Sequence, residues 1–213
     1  MQLEFANQSF VMLCERALWW PSTRTLIVAD THLGKDAHFQ ANGLQVPNDV
    51  TSNDLARLTL LIETLDAKRL LILGDFLHGA FSQDDLTLRA LSNWRDRHKS
   101  INVTLVRGNH DRHAGDPHLD LRFEISNRWE ESSIVFIHEG RCKTGAPSMS
   151  GHVHPTARLS DFDGSSLSLP CFVVEESLVI LPAFGRFTGG YRIAPEANRR
   201  LFIASHGRVL PVI

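Results

Sequence analysis

The side chains best suited to chemistry in this sequence are aspartates, histidines and an asparagine that fall in five short polar clusters. Four clusters directly follow apolar segments typical of buried strands, and the fifth lies in a polar loop about a dozen residues further on. Aspartate, asparagine and histidine together suit borderline divalent ions such as Mn²⁺, Fe²⁺ or Zn²⁺. The clusters are Asp30-Thr31-His32, Gly74-Asp75, Gly108-Asn109-His110-Asp111, His138 and Gly151-His152-Val153-His154.

The spacing within the clusters indicates which side chains can share an ion. Residues i and i+2 of an extended segment point to the same side, so Asp30 and His32 can reach one ion together. Periodicity alone lets His152 and His154 share an ion in the same way. A lone carboxylate such as Asp75 can bridge two cations at the roughly 3.5–4 Å separation that two-metal phosphoryl chemistry uses.

Each cluster taken singly has an ordinary explanation, since loop and capping residues are often aspartate, asparagine or histidine. Glycines precede three of the candidates, at Gly74, Gly108 and Gly151, and a missing side chain lets backbone approach an ion or a phosphate closely. Seven coordinating groups near strand ends together favour one metal site over seven unrelated loop residues. They are Asp30, His32, Asp75, Asn109, His138, His152 and His154.

The segments between the clusters must position them. The front half alternates strand-like runs with two helical patterns over 51–66 and 84–99, the first with Thr51, Ser52 or Asn53 as cap candidates. The back half is mostly strand-like. This order predicts an α/β fold with a mixed sheet, or two sheets packed face to face with helices outside, and ligands gather at the carboxyl ends of strands in such folds. The predicted strands cover 10–13, 17–20, 25–30, 69–75, 102–111, 132–140, 170–176, 177–185 and 200–213.

Bulk properties bound the class of protein. The 213 residues suffice for a single domain over 1–213, and the net charge of −2 argues against broad electrostatic capture of nucleic acid. Cys14, Cys142 and Cys171 are widely spaced and contain no CxxC, so reduced thiols are expected. Without a signal-like N-terminus or a membrane-length apolar run, the sequence predicts a soluble cytoplasmic protein.

The ordered set of clusters resembles the calcineurin-like metallophosphoesterase superfamily from Asp30 to His154. That resemblance implies a four-layered αββα sandwich and two divalent ions, with Mn²⁺ preferred and Fe²⁺ or Zn²⁺ as alternatives. By motif position, the first ion would take Asp30, His32, Asp75 and His154, and the second Asp75, Asn109, His138 and His152. His110 would act near the leaving group, and Asp111 would either orient His110 or cap its loop.

A narrower resemblance is to the ligase-associated DNA damage response endonucleases of the PdeM type. It is carried by DTHLGK at 30–35, GDFLHG at 74–79, RGNHDRH at 107–113, and LPAFGRFTGG at 181–190, with HEG at 138–140 where relatives tend to have HEP. It implies a Mn²⁺-dependent endonuclease acting on single-stranded or structured DNA in repair. A helicase and a DNA ligase would be functional partners, no membrane would be involved, and a homo-oligomer is allowed.

Candidate substrate contacts lie beside the metal motifs. They are Asn109, His78, His113 and Arg186, and Phe184 and Phe187 are candidates for contact with a base or a partner chain. Two alternatives to the DNA endonuclease stay open: a phosphodiesterase or phosphatase for nucleotides or other small phosphoesters, and a metal-free scaffold of the same fold. The scaffold is disfavoured because every expected ligand position is filled.

Overall fold

The computed structural model describes residues 1–47, 49–79, 85–140, 145–160, 165–205 and 207–212. Its first sheet has seven strands in chain order. The first four are joined antiparallel, and β4 to β7 run parallel. The strands are β1 (Gln2–Phe5), β2 (Gln8–Met12), β3 (Leu18–Trp20), β4 (Thr25–Val28), β5 (Arg69–Leu73), β6 (Asn102–Val106) and β7 (Glu124–Ser126).

The second sheet has nine strands and mixed pairing. Its main path runs β14-β11-β12-β13-β10-β9-β8, and β15 pairs with both β12 and β16. The pairs β9–β10 and β10–β13 are parallel, whereas β11–β12 and β12–β13 are antiparallel. The strands are β8 (Trp129–Glu131), β9 (Ile134–Phe136), β10 (Ser148–Ser150), β11 (Pro155–Ser160), β12 (Ser166–Val174), β13 (Leu178–Ile180), β14 (Tyr191–Arg192), β15 (Arg200–Ser205) and β16 (Arg208–Pro211).

Four α-helices occur among the described residues: α1 (Lys35–Ala41), α2 (Val50–Thr64), α3 (Asp85–Arg97) and α4 (Asn109–Ala114). The two predicted helices correspond to α2 and α3, although Asp84, the predicted start of the second, lies outside the described residues. The predicted caps of α2 are wrong, because the N-cap is Asp49 and Thr51 lies inside the helix. The Thr51 hydroxyl instead donates to Asp36 and accepts from the Gly34 N–H.

Two apolar layers enclose the first sheet. On one face, side chains such as Leu26 and Ile72 pack against Leu58 of α2 and Trp94 of α3. On the other face, the first sheet packs directly on the second through large side chains such as Phe136. The predicted architecture of two mixed sheets flanked by helices is confirmed. On the outer face of the second sheet, the buried residues of the remaining core cluster all belong to strands.

The strands that sequence patterns miss are short or exposed. β1, β7, β8, β10, β11 and β14 were not predicted, and several of them carry exposed side chains that weaken the apolar signal. The prediction of a loop after β6 is also partly wrong, because the short helix α4 begins at Asn109. Cys14 and Cys171 are free thiols, and Cys142, His206 and Ile213 lie outside the described residues. No helix in the described part of the chain is long and apolar enough to span a membrane.

Candidate metal centre

The candidate ligands converge because of strand direction. The parallel strands β4, β5 and β6 end at one edge of the first sheet, which brings the segments that carry Asp30, Asp75 and Asn109 together. In the second sheet, β9 and β10 also run parallel, and they deliver His138 and the segment that carries His152. Fully buried apolar strands such as β4 are typical of parallel sheets, so the polar groups appear only where the strands end.

Two groups of these side chains have the geometry to hold a metal ion. The first contains Asp30, His32, Asp75 and His154, and the second contains Asp75, His138 and His152. Within each group the ligand atoms lie within 4.8 Å of one another, and Asp75 belongs to both. His152 and His154 therefore belong to different groups, although they are only two residues apart.

The first group is compact, and three of its four residues are buried. The Nε2 atoms of His32 and His154 lie 3.2 Å apart. His154 Nε2 lies 3.5 Å from Asp30 Oδ1, and His32 Nε2 lies 3.9 Å from Asp75 Oδ2. Asp30 is completely buried and Asp75 is 2% exposed. Buried carboxylates require a nearby positive charge, which a bound cation or a protonated imidazole can supply.

The second group shows how one imidazole is oriented. His138 Nδ1 lies 3.0 Å from the Leu73 carbonyl oxygen, so this nitrogen donates its proton there. In the neutral ring, Nε2 then carries a lone pair, and it faces Asn109 Oδ1 at 3.0 Å, His152 Nδ1 at 3.1 Å and Asp75 Oδ2 at 3.4 Å. Lone pairs that converge in this way fit a metal ion, and a carbonyl-bound imidazole is the usual way to fix a histidine ligand.

Backbone N–H groups hold the carboxylates of Asp30 and Asp75. The Asp30 carboxylate accepts from the His152 N–H, with distances of 3.1 Å and 2.9 Å to its two oxygens. The Asp75 Oδ1 atom accepts from the His110 N–H at 2.9 Å. Oδ2 of Asp75 is thus the oxygen that faces His32 and His138. The carboxylates are fixed in place by the chain before any ligand binds.

Backbone strain is concentrated at this centre. Five of the candidate ligands are non-glycine residues with positive φ, which is uncommon for such residues and characteristic of active sites and ligand clamps. The φ angles are 53° at Asp30, 45° at His32, 50° at Asp75, 70° at His152 and 49° at His154.

Gly108 and Gly151 are needed because the backbone at each lies against a carboxylate of the site. A Cβ at Gly108 would overlap Oδ1 of Asp75, and a Cβ at Gly151 would lie 2.5 Å from Oδ2 of Asp30. Real side chains do not tolerate such contacts with a carboxylate held by backbone hydrogen bonds. The prediction that these glycines let the backbone approach the site closely agrees with this geometry.

The ionisation of the buried groups follows from burial and mutual charge. Burial lowers the pKa of His32 to about 2 despite the opposing effect of Asp75, so this imidazole is neutral and able to bind a metal. Burial also disfavours charge on His138 and Asp75, but their mutual hydrogen bond outweighs it. As a result the pKa of His138 is raised to about 9 and that of Asp75 is lowered to about 2.

His110 and His78 line the edge of the centre. The His110 ring stacks on His78 with centroids 5.1 Å apart, and its Nδ1 lies 2.6 Å from the His78 carbonyl oxygen. His78 Nδ1 is 3.4 Å from His32 Nδ1, and burial, with the charges of Lys35 and His110, lowers the pKa of His78 to about 4. A third group that could hold an ion, His32, His78 and His110, was not anticipated from the sequence.

Of the two interpretations of Asp111, the structure favours the cap. The buried Asp111 carboxylate accepts from the N–H groups of Phe76, Leu77 and Gly108, at 2.9, 3.3 and 2.8 Å. Burial raises its pKa although these hydrogen bonds oppose the rise. The contact that orients His110 comes from the His78 carbonyl rather than from Asp111.

The remaining candidates lie further out. His113 is exposed, and its Nδ1 lies 2.6 Å from the Asn109 carbonyl one turn earlier in α4. Arg186 is exposed. Phe184 is fully buried in the core, so a base or partner contact by this ring is wrong. Phe187 is 38% exposed and packs edge-on against Phe39, with centroids 5.6 Å apart.

Comparison with known families decides the assignment. A model of the calcineurin-like phosphoesterases matches residues 23–175, which include every candidate metal ligand. The chain belongs to the calcineurin-like phosphoesterase family. It is therefore a metal-dependent phosphoric ester hydrolase. The family uses a binuclear divalent metal site, and the Asp and His groups described above fit one.

Solved structures include a full-length relative of this phosphoesterase. The crystal structure of Pseudomonas putida nuclease MPE is 39% identical, with a TM-score of 0.87, and the match covers 100% of this chain and 99% of that chain. A protein of unknown function from Aquifex aeolicus, AQ665, is 22% identical with a TM-score of 0.41, over 61% of this chain and 78% of that chain. The E. coli phosphoesterase Yfce is 14% identical with a TM-score of 0.40, over 83% and 86%. A comparison with curated proteins found no significant match.

Proposed function

We propose that this phosphoesterase is a binuclear, Mn²⁺-dependent DNA endonuclease that acts on single-stranded or structured DNA. The DNA substrate is inferred from the 39% identity to Pseudomonas putida nuclease MPE along the whole chain. The narrower resemblance to endonucleases of the PdeM type supports a role in repair, with a helicase and a DNA ligase as functional partners. The domain spans 1–213, acts in the cytoplasm, and is compatible with a homo-oligomer.

The residues divide between two ions as their grouping suggests. Asp30, His32 and His154 hold the first ion, and Asn109, His138 and His152 hold the second, with Asp75 shared by both. This division is supported by the two groups of ligand atoms within 4.8 Å of one another that share Asp75. When bound, the two ions neutralise the phosphate oxygens and lower the pKa of a water molecule, so that a nucleophile forms near neutral pH.

The protein's own groups orient and protonate the substrate. Because Nδ1 of His110 donates to the His78 carbonyl, Nε2 is the nitrogen left to exchange a proton. In the imidazolium form, Nε2 gives its proton to the departing oxygen and leaves the neutral ring with its proton on Nδ1. His78 and Asn109 lie within reach of a phosphodiester at the centre. His113 and Arg186 contact the strand further from the reacting phosphate, a role supported by the exposure of both side chains.

Cleavage assays with matched substrates test this proposal. The metal-free protein is reconstituted with Mn²⁺ and given circular single-stranded DNA, linear duplex DNA, a bis-aryl phosphate diester and an aryl phosphate monoester. We expect cleavage of the circle and turnover of the diester, since only an endonuclease can open a circle. Turnover of the monoester without cleavage of the diester or DNA would overturn the proposal in favour of a small-phosphoester phosphatase.

A further inference from the structure

A cavity beside the candidate metal centre is lined by positively charged side chains and by no carboxylate among the described residues. It has a volume of about 320 Å³, it begins at His154, and its charged lining residues are Arg16 and Arg186. The described residues around it include no aspartate or glutamate. A second cavity of about 480 Å³ shares Arg16, Pro170 and Arg186 with the first, and Glu15 and Arg57 also line it. The two cavities therefore continue one another away from the metal centre.

Neither arginine has a carboxylate at ion-pair distance among the described residues, although the charge of Asp54 acts on Arg16. The ion pairs found among the described residues include neither Arg16 nor Arg186. Among the described residues, the Arg16 guanidinium donates a hydrogen bond only to the Gly185 carbonyl oxygen, at 3.4 Å. Burial lowers the pKa of Arg16, and the charges of Arg57 and Arg186 add to this effect while that of Asp54 opposes it. Such a cluster is stabilised by a bound anion.

Asp54, whose charge acts on Arg16, is bonded to other groups. Its Oδ1 accepts from Arg57 at 2.7 Å, and its Oδ2 accepts from the backbone N–H of Arg186 at 3.1 Å. Arg57 in turn donates to the carbonyls of Glu15 and Phe184, at 2.7 and 3.0 Å. These bonds fix the segment before Arg186 but leave the side chains of Arg16 and Arg186 to another partner.

The backbone that leads to Arg186 is fixed to the metal centre. The N–H groups of Phe184 and Gly185 donate to the carbonyls of Ala29 and Asp30. Arg16 lies in the turn between β2 and β3 with φ of 67°, a conformation usually left to glycine or asparagine.

We infer that Arg16 and Arg186 form a second phosphate site, which holds a phosphodiester of the substrate strand away from the one being cleaved. This inference rests on the proposed DNA endonuclease and specifies how it selects a strand over a small ester. A guanidinium pair recognises phosphate oxygens through charge-assisted hydrogen bonds. The site explains why the 181–190 segment carries an arginine beside the centre without supplying a metal ligand.

A double variant, R16Q/R186Q, tests the site with oligonucleotides from a dinucleotide to about ten nucleotides, the range of a single-strand binding groove. For the wild type we expect KM to fall as the strand lengthens. In the variant KM for the longest strand rises about tenfold or more, and the dependence on length is largely lost. The slope of log KM against log salt falls by about 0.7 for each phosphate contact removed.

Matched variants separate charge from folding. R97Q/R128Q removes two exposed arginines that pair with Glu63 and Glu130 far from the site, and it should keep the wild-type dependence on length. R16K/R186K should recover part of the dependence of KM on strand length, because lysine restores the positive charge. If R16Q/R186Q unfolds at a lower temperature than the wild type, the single variant R186Q, at an exposed position, is assayed in its place.

Two results would overturn the inference in distinguishable ways. If the wild type cleaves single-stranded DNA and folded R16Q/R186Q or R186Q keeps the wild-type length dependence and salt slope, the second phosphate site is wrong and the endonuclease stands. If the wild type cleaves no DNA with Mn²⁺, the proposed endonuclease itself fails, and this site fails with it.

Discussion

Nδ1 of His110 lies 2.6 Å from the backbone carbonyl oxygen of His78. A carbonyl oxygen accepts only, so this contact fixes the proton on Nδ1 and leaves Nε2 for exchange with substrate. A main-chain atom of the loop after β5 thus sets the tautomer of the histidine that we assign to the leaving group. This relationship separates the role of His110 from that of its neighbour Asp111.

His110→Ala tests the acid role. We expect kcat for DNA to fall by about 10²–10⁴, the usual contribution of a positioned acid or base. The loss should be smaller for a bis-aryl diester, because its leaving oxygen needs less protonation. Rates are measured at saturating substrate with the metal content of each preparation determined. The control is His118→Ala, an exposed histidine paired with Asp120. Wild-type DNA cleavage by His110→Ala would contradict the assignment.

Asp111→Ala tests the capping role. The change leaves the buried N–H groups of Gly108 and Phe76 without their acceptor, so we expect the free energy of unfolding to fall by about 1–3 kcal/mol. Urea denaturation followed by circular dichroism measures the difference, with the exposed Asp120→Ala as the control. A variant as stable as the wild type but inactive would instead favour a direct catalytic role.

Gly108→Ala tests close packing against the shared carboxylate. The added Cβ would overlap Oδ1 of Asp75, so the carboxylate must turn away from its place between the two ligand groups. We expect weaker Mn²⁺ binding in a titration calorimeter and a parallel loss of diester turnover. Gly79→Ala is the control, since its Cβ would meet no atom within 4 Å. Unchanged Mn²⁺ affinity in Gly108→Ala would show that Asp75 need not hold this position.

Asp54→Ala tests how the 181–190 segment is held. Removing the carboxylate leaves Arg57 without its ion-pair partner and the Arg186 N–H without its acceptor. Because the pair is largely buried, we expect the free energy of unfolding to fall by about 3 kcal/mol. Thermal melting checks this against Glu63→Ala, which breaks an exposed pair with Arg97. Equal melting temperatures for the two variants would rule out this anchoring role.

The predictable part of the fold was the part with a strong local pattern. β4 to β6 and α2 follow from apolar runs and helical spacing because these elements are buried on at least one face. Strands such as β1, β11 and β14 have alternating burial or lie at the surface. They form strands because they pair with other segments, and their own residues give only a weak signal.

Most candidate ligands could be predicted because they follow apolar runs typical of strands. His152 and His154 follow β10, which was not predicted, so they were found from their own spacing. Their division between two groups depended on the family resemblance, since spacing alone would have joined His152 to His154. Arg16 had no signal in the sequence. Its site is created by bonds between residues more than 120 positions apart, such as Arg57 with the Phe184 carbonyl and Asp54 with the Arg186 N–H. No local pattern encodes such contacts.

The most direct test of the account is the number of Mn²⁺ ions bound per chain, measured by titration calorimetry and elemental analysis on wild type and Asp75→Ala, with diester turnover followed in the same samples. We predict two ions per wild-type chain. In Asp75→Ala both ions bind weakly, and turnover falls at least about 100-fold, since loss of even an outer partner of a metal ligand commonly costs 10–100-fold. The exposed Asp120→Ala serves as the control. Wild-type Mn²⁺ stoichiometry and turnover in Asp75→Ala would contradict a binuclear centre built on this carboxylate.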